Sequence, residues 1–308
     1  YTHNVLVPGS NPGGPTIYKI MRVAIFGILP FSDLIKDGFK ELGHEISNED
    51  PELIFANDPT GYQDGLFLKQ KYPNINLILN VLDIPWHFPN IQKQFQVLVQ
   101  RFFSKADFVT AISYKVKKDL EIFFEKKIYE EIKVIYNPIK DVYLDKKISK
   151  NNTFLFVGRA NDPIKRFDLV KDSIQKIKNG KNKIIICGNE NPNFGNFLGY
   201  VSDEKLNELY NSTKYVLLPS KAEGIGLPMI EAAICGSVPI ACSDNLTAKE
   251  FLPKDFICEP DSQSIVNFIR ELDHNYDVKR ELVLQLGKKY KDQFNKSTIA
   301  KNILSIKK

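Results

Sequence analysis

Cysteine is scarce in this chain of 308 residues: Cys187, Cys235, Cys242 and Cys258 form no C-x-x-C pair, and no histidine stands at metal-ligand spacing from them. That spacing offers neither a zinc site nor a redox motif nor a disulfide scaffold, and buried thiols in a reducing cytosol are the plain reading. Long hydrophobic runs are missing too. The longest, such as Ile184-Ile185-Ile186-Cys187, are strand-sized, well short of the roughly 18 apolar residues that cross a bilayer, so a soluble or at most peripheral protein is expected. Excess charge of one sign is small, with 42 Lys+Arg against 37 Asp+Glu and a net +5. Nucleic acid is not an expected partner on that balance, which licenses only a weak bias toward anionic ligands or lipid headgroups. Residues 1–20 lack the charged start and apolar core of a secretory signal and read as an N-terminal extension ahead of Met21. What is present, 43% hydrophobic and 26% charged residues, is the composition of a globular chain of about two domains.

From Met21 the pattern alternates strand and helix. Met21–Gly27 is a short apolar run, and Ser32–Leu42 carries Leu34, Ile35, Phe39 and Leu42 at helical spacing with Gly43 as a stop. Strand candidates follow at Leu53–Ala56, Ile75–Leu82 and Phe108–Ile112, separated by helical stretches around Gly65–Lys71 and Ile91–Lys105. Such alternation implies a parallel sheet with both faces covered. The lysine-rich, weakly patterned residues 140–151 read as a linker between a first domain at 21–139 and a second at 152–308. In the second, strands at Thr153–Val157, Lys183–Cys187, Lys214–Leu218 and Val238–Cys242 alternate with helices at Arg166–Ile177, Asp203–Ser212 and Pro228–Ile234. Helices at Asp277–Phe294 and Ser297–Ile306 complete it.

Ligands of open α/β sheets sit beyond the carboxyl ends of the strands, so the loops there are the candidates. Gly158-Arg159-Ala160-Asn161-Asp162-Pro163-Ile164-Lys165-Arg166 sets two or three cations directly after a strand, a fixed guanidinium fork with a mobile ammonium, which suits a diphosphate. A charged surface loop is the bland account. The loop Ser220-Lys221-Ala222-Glu223-Gly224-Ile225-Gly226-Leu227 runs into a helix with Pro228 near its first position, and its glycines let backbone N–H groups approach an anion at the positive helix end. Glu223 and Glu231 flank those glycines, and carboxylates bind sugar hydroxyls well because each oxygen accepts without needing a donor of its own. Taken alone, Glu231 also reads as a helix-dipole partner. The segments Gly188–Pro192 and Gly199–Asp203 adjoin the neighbouring strand, where a nucleobase would lie, although Ser202 equally reads as a helix N-cap.

The segment Leu217–Ala233, followed by Gly236-Ser237-Val238-Pro239-Ile240-Ala241, resembles the E-x7-E signature of glycosyltransferase family 4. The similarity extends to Phe156-Val157-Gly158-Arg159 with Lys165, to Gly199-Tyr200-Val201-Ser202 with Leu206 and Tyr210, and to Val134–Pro138. It is strong over 152–260 and looser over 21–140. The resemblance implies an α/β protein of the GT-B fold, two Rossmann-like doubly wound parallel-sheet domains facing a central cleft, and a retaining transferase that takes a nucleotide-sugar donor without a metal or other cofactor. It implies that Arg159 and Lys165 hold the donor diphosphate and stabilise the departing charge. Gly158, Gly224, Ile225, Gly226 and Leu227 then line the donor with backbone groups, Glu231 accepts from the ribose, Glu223 meets the donor sugar, the backbone near Val201 meets the base, and Asn137 joins the donor set. The sequence has no D-x-D motif that would argue for a metal.

The first half departs from the family pattern. The strand ending at Gly27 is followed by Ile28-Leu29-Pro30-Phe31 where a glycine pair is common, and Val81-Leu82-Asp83-Ile84-Pro85-Trp86-His87 has Leu82 where a histidine is expected. Asp83 fits, and His87 is the candidate substitute; a loop histidine without chemical duty is the alternative. Two other functions stay open at this stage, a nucleotide-sugar epimerase of the same fold and a non-catalytic nucleotide-sugar-binding subunit. Weak membrane contact through Lys115, Lys117, Lys118, Lys126 and Lys127 around Phe123-Phe124 competes with a solvated helix face, since Asp119, Glu121 and Glu125 alternate with those lysines. The expected location is the cytoplasm, at most the cytoplasmic face of a membrane.

Overall fold

A computed structural model describes residues 4–6, 17–27, 30–82, 101–123, 132–177 and 183–306. The chain forms two compact units, Tyr1–Pro138 with Gln293–Lys308, and Ile139–Asp292.

In the first unit, β1 (Asn4–Leu6) pairs antiparallel with β2 (Ile17–Lys19). Next come β3 (Arg22–Gly27), α1 (Phe31–Glu41), β4 (Glu45–Ile46), β5 (Leu53–Asn57), α2 (Asp58–Lys71), β6 (Asn76–Val81), β7 (Phe108–Ala111), α3 (Tyr114–Phe123) and β8 (Lys133–Val134). The sheet has six parallel strands in the order β4-β3-β5-β6-β7-β8. Continuous apolar runs make this possible: every residue of β5 is buried, as a strand covered on both faces requires. Helix α2 begins earlier than the apolar spacing around Gly65–Lys71 indicates. Pro59 occupies its first turn, and the Asp58 carboxylate accepts from the N–H groups of Thr60 and Gly61 at 2.8 and 3.1 Å. Strands β4 and β8, of two residues each, come in addition to the strands read from the sequence. Most of the helix expected at Ile91–Lys105, together with Asp83 and His87, lies outside the described residues.

The second unit contains β9 (Asn151–Val157), α4 (Phe167–Gln175), β10 (Ile184–Cys187), β11 (Asn196–Gly199), α5 (Asp203–Ser212), β12 (Thr213–Leu218), α6 (Leu227–Ile234), β13 (Val238–Cys242), α7 (Leu246–Phe251), β14 (Ile257–Cys258) and α8 (Ser262–His274). Helix α9 (Tyr276–Gln293) follows. Its parallel sheet runs β11-β10-β9-β12-β13-β14. Strands β11 and β14 and helices α7 and α8 come in addition to the elements read from the sequence.

Two boundaries differ from expectation. Residues 140–151 are not a bare connector: Tyr143 is 3% exposed, the Leu144 and Lys146 N–H groups donate to Asn207 and Asn211 of α5 at 3.3 and 2.7 Å, and the segment packs as part of the second unit. The final helix, α10 (Lys296–Leu304), belongs to the first unit, not to a domain running through to 308. Its stripe of Ile299, Ala300 and Ile303 joins Ile35 and Phe39 of α1 and Val23, Ile25 and Phe55 of the sheet in one buried core. Gly38 permits the approach, because a Cβ there would stand 2.2 Å from the Lys296 carbonyl oxygen. Ile303→Ala should therefore cost about 2–5 kcal/mol of the first unit's stability. Hydrogen exchange checks this: protection should fall in β3 and β5 and stay unchanged in β9 and β12, and equal loss in both sheets would contradict the assignment.

Candidate functional site

Parallel pairing sends the carboxyl ends of all strands of the second sheet to one edge. Strand β9 is the reversal point, with β10 on one side and β12 on the other, so the loops after β9 and β12 diverge from neighbouring strands at the position where such sheets take ligands.

The loop after β9 is organised by Asp162. Its carboxylate accepts from the Ile164 N–H at 3.0 Å and from the Arg159 guanidinium at 2.6 Å, and its carbonyl accepts from the Lys165 N–H at 2.9 Å. Burial pushes the Asp162 carboxyl up, but the Arg159 side chain and the Ile164 N–H outweigh it and hold the group below its ordinary value. Gly158 is fixed by its N–H to the Cys187 carbonyl at 2.9 Å. Arg166, in the left-handed region at φ +50°, closes the loop by a two-pronged pair with Asp244 after β13.

The loop after β12 is tied to this one. The Lys221 N–H donates to the Ile164 carbonyl at 2.8 Å, and the Lys165 ammonium meets Glu223 Oε1 at 2.6 Å, both side chains being less than one-fifth exposed. Thr247 of α7 donates to the Glu223 carbonyl at 2.6 Å, which fixes the acid's main chain. Ile225 anchors the loop by burial, and Gly224 is half-buried beside it. Gly226 takes φ +70° to turn into α6, a left-handed conformation that glycine adopts without the strain a side chain would bring. Leu227 and Pro228 then open the helix, whose positive end lies at the carboxyl edge.

Glu231, about one turn into α6, is half-buried, and its Oε2 accepts from the Tyr210 hydroxyl at 2.9 Å. Burial pushes its carboxyl up to about 7; Tyr210 and Lys140 pull it down in part, while Asp203 adds to the rise. On the far side of β9 the Gly188 N–H donates to the Gly199 carbonyl at 3.1 Å, Val201 is half-buried, and Ser202 caps α5 by accepting from the Lys205 N–H at 3.2 Å. The N-cap account of Ser202 thus holds.

Of the residues singled out in the sequence, Lys165 and Glu223 are brought into contact beside Gly224, Ile225, Gly226 and Leu227, with Glu231 on the helix that follows. Arg159 sits on the same loop as Lys165 but turns to Asp162 and is 62% exposed. Asn137 lies in the first unit, 1% exposed, its Oδ1 3.4 Å from Asn57 Nδ2. Asp83 and His87 are outside the described residues. Asp162, Asp244 and Thr247 carry no role in the sequence reading, because carboxylates and hydroxyls in loops give no periodic signal. Tyr210 entered it only as part of the resemblance. The first unit adds a buried polar row, Asn57, Asn80 and Thr110 in register on β5, β6 and β7, with Thr110 donating to Asn80 at 2.8 Å. On α3, Lys115 pairs with Asp119 and Lys117 with Glu121. Among the described residues no helix is long and apolar enough to cross a membrane, and all four cysteines are buried and unbridged.

Comparison with known proteins bears directly on this unit. Residues 144–292 match the sequence model of the family described as glycosyl transferases group 1. The match covers the second unit almost end to end. The O-antigen chain mannosyltransferase RfbU of Salmonella typhimurium is 30% identical over 187 residues, which is 55% of this chain and 52% of that protein. This chain thus spans about half the length of that relative. Among solved structures, Anabaena HepE in complex with UDP-glucose superposes with a TM-score of 0.69 at 18% identity, covering 92% of this chain and 98% of that one. Sucrose-phosphate synthase from Thermosynechococcus elongatus gives 0.65 at 16%, covering 88% and 75%. The fold is α/β of the GT-B type, two Rossmann-like parallel-sheet domains.

The raised Glu231 carboxyl has a measurable consequence. Its ordinary value is 4.5 and its folded value about 7, so between these the folded chain holds a proton the unfolded chain has released. Its contribution to stability is complete below about pH 4.5 and is lost as pH rises through about 7. Urea titrations of wild type and Glu231→Gln across this window should show the variant gaining on wild type as pH rises; parallel profiles would refute the placement of that proton.

Proposed function

We propose that this chain transfers a glycosyl group from a nucleoside-diphosphate sugar to a hydroxyl acceptor, with retention of configuration and without a metal, as a family 4 type enzyme. The observation that carries the reading is the pair of loops after β9 and β12, which join Lys165, Glu223 and the N-terminus of α6 at the reversal point of the sheet. The family match over the same residues and the mannosyltransferase name of the relative agree with it.

In this reading the donor diphosphate lies against Lys165, the first turn of α6 and the guanidinium of Arg159. Lys165 exchanges its contact with Glu223 for phosphate oxygens, and Glu223 turns to a hydroxyl of the donor sugar. As the sugar–phosphate bond breaks, charge grows on the leaving diphosphate, where the Lys165 ammonium and helix N–H groups stabilise it more than in the ground state. These positive groups supply the charge compensation that a divalent cation gives in other transferases. The acceptor hydroxyl attacks the same face of the sugar and passes its proton to the leaving diphosphate. Glu231 accepts from a ribose hydroxyl and Val201 borders the base.

Thermal shift with UDP-glucose, GDP-mannose and ADP-glucose tests donor binding: at a hundred times its dissociation constant a true donor adds about 2.7 kcal/mol. Lys165→Ala should lower turnover by about 10²–10³, and Glu231→Ala should chiefly raise the donor KM. Activity should survive EDTA. Unaltered donor kinetics in both variants would defeat the site, and a new nucleotide-sugar formed without acceptor would favour an epimerase instead.

A further inference from the structure

Tyr210, near the end of α5, is fully buried, yet its hydroxyl reaches a carboxylate oxygen of α6. Burial and the neighbouring Glu231 push the phenol's ionisation well above its ordinary value, so it acts as a permanent donor. Glu231 Oε2 is therefore occupied, while among the described residues Oε1 takes no hydrogen bond. The phenol's own position is over-determined. Its ring packs edge-on against Tyr143 with centroids 6.0 Å apart, and the Tyr143 hydroxyl is held at 2.8 Å by Asp203, which also pairs with Lys140. Its main chain is held as well. The Lys150 ammonium donates to the Tyr210 carbonyl at 2.8 Å and to the Cys235 carbonyl at 2.7 Å, clamping the end of α5 to the end of α6.

Resting on the reading of Glu231 as the ribose acceptor, we propose that Tyr210 is its positioning residue: the phenol locks one carboxylate oxygen and leaves the other oriented as a single acceptor that selects ribose over deoxyribose. The groups facing this pair are accounted for. Asp203 on α5 disfavours the Glu231 charge and Lys140 favours it; Tyr143 and Cys235 stay neutral, burial pushing the Cys235 thiol up to about 12. Of these only Tyr210 donates a hydrogen bond to the carboxylate. A carboxylate accepts from a ribose hydroxyl and a carboxylic acid does so less well, so loss of the phenol should show itself through pH.

Calorimetric titration with UDP, GDP and ADP and their 2′-deoxy counterparts at pH 6.5, 7.5 and 8.5 tests this. At pH 7.5 and 8.5, above the value of about 7 for Glu231, wild type should bind the ribo form of its nucleotide at least about tenfold more tightly than the deoxy form, as expected of a hydrogen bond to a charged group. Tyr210→Phe should move the midpoint of that preference to higher pH, so that most of it is lost at pH 7.5 and regained at pH 8.5, with the deoxy affinity unchanged throughout. A packing defect would lower both affinities alike at every pH. If Tyr210→Phe fails to fold, 3-fluorotyrosine at position 210 alone keeps the shape and donates more strongly, and the pH midpoint of the preference should move down. A wild-type preference and midpoint in Tyr210→Phe, or an unmoved midpoint with fluorotyrosine, overturns the inference while the functional reading stands. Failure of wild type to bind any of the three nucleotides, or an intact preference in Glu231→Ala, which removes the acceptor, overturns both.

Discussion

Everything at the candidate site depends on the parallel pairing of β9 with β12. Two adjacent strands that point the same way deliver their loops to the same edge, and because the chain crosses over in opposite directions from them, the loops diverge at their base. Lys165 and Glu223 are far apart in sequence, and each alone would be an ordinary surface charge. Sheet geometry turns them into a contact with little exposure. The ion pair is accordingly better understood as a consequence of the sheet than as one of its supports, since partly buried pairs repay little beyond their own desolvation.

Around that pairing the structure spends its polar groups on fixing main chain. Asp162 organises one loop through its own carbonyl and carboxylate, Thr247 holds the Glu223 carbonyl, and Lys150 gathers the ends of α5 and α6. Each of these ties an irregular segment to a regular one. The loops thereby acquire the definition of the elements they connect, as a site that must hold reacting groups in register requires.

The strands that form the middle of both sheets were legible because continuous apolar runs leave no other fate for those residues, and the glycines and acids between β12 and α6 were legible because their order is unusual. Other parts were hidden for identifiable reasons. Helix α2 starts with Asp58-Pro59 and carries Gly61 and Gly65 on its buried side, which breaks the apolar stripe. Strands β11 and β14 are short edge strands with little pattern. Helix α8 carries an ordinary signal, an Asp261 cap followed by Ile265, Ile269 and Leu272, in a stretch that lies beyond the clear strand–helix alternation. The lysine-rich stretch at 140–151 looked unstructured because its partners are side chains of α5, and long-range hydrogen bonds leave no trace in local composition. The position of α10 could not be read at all: its apolar stripe says that it packs, never on what.

That position sets an order of events during synthesis. The first unit's sheet precedes the second unit in sequence, but its α1 face, with Ile35 and Phe39, is covered only once Ile299, Ala300, Ile303 and Ile306 have left the ribosome. The second unit, contiguous in sequence, is complete before then. Of the two units, the one whose sheet is translated earlier is thus the one that finishes folding later, and through the intervening synthesis its apolar α1 surface stands open to whatever holds nascent chains apart.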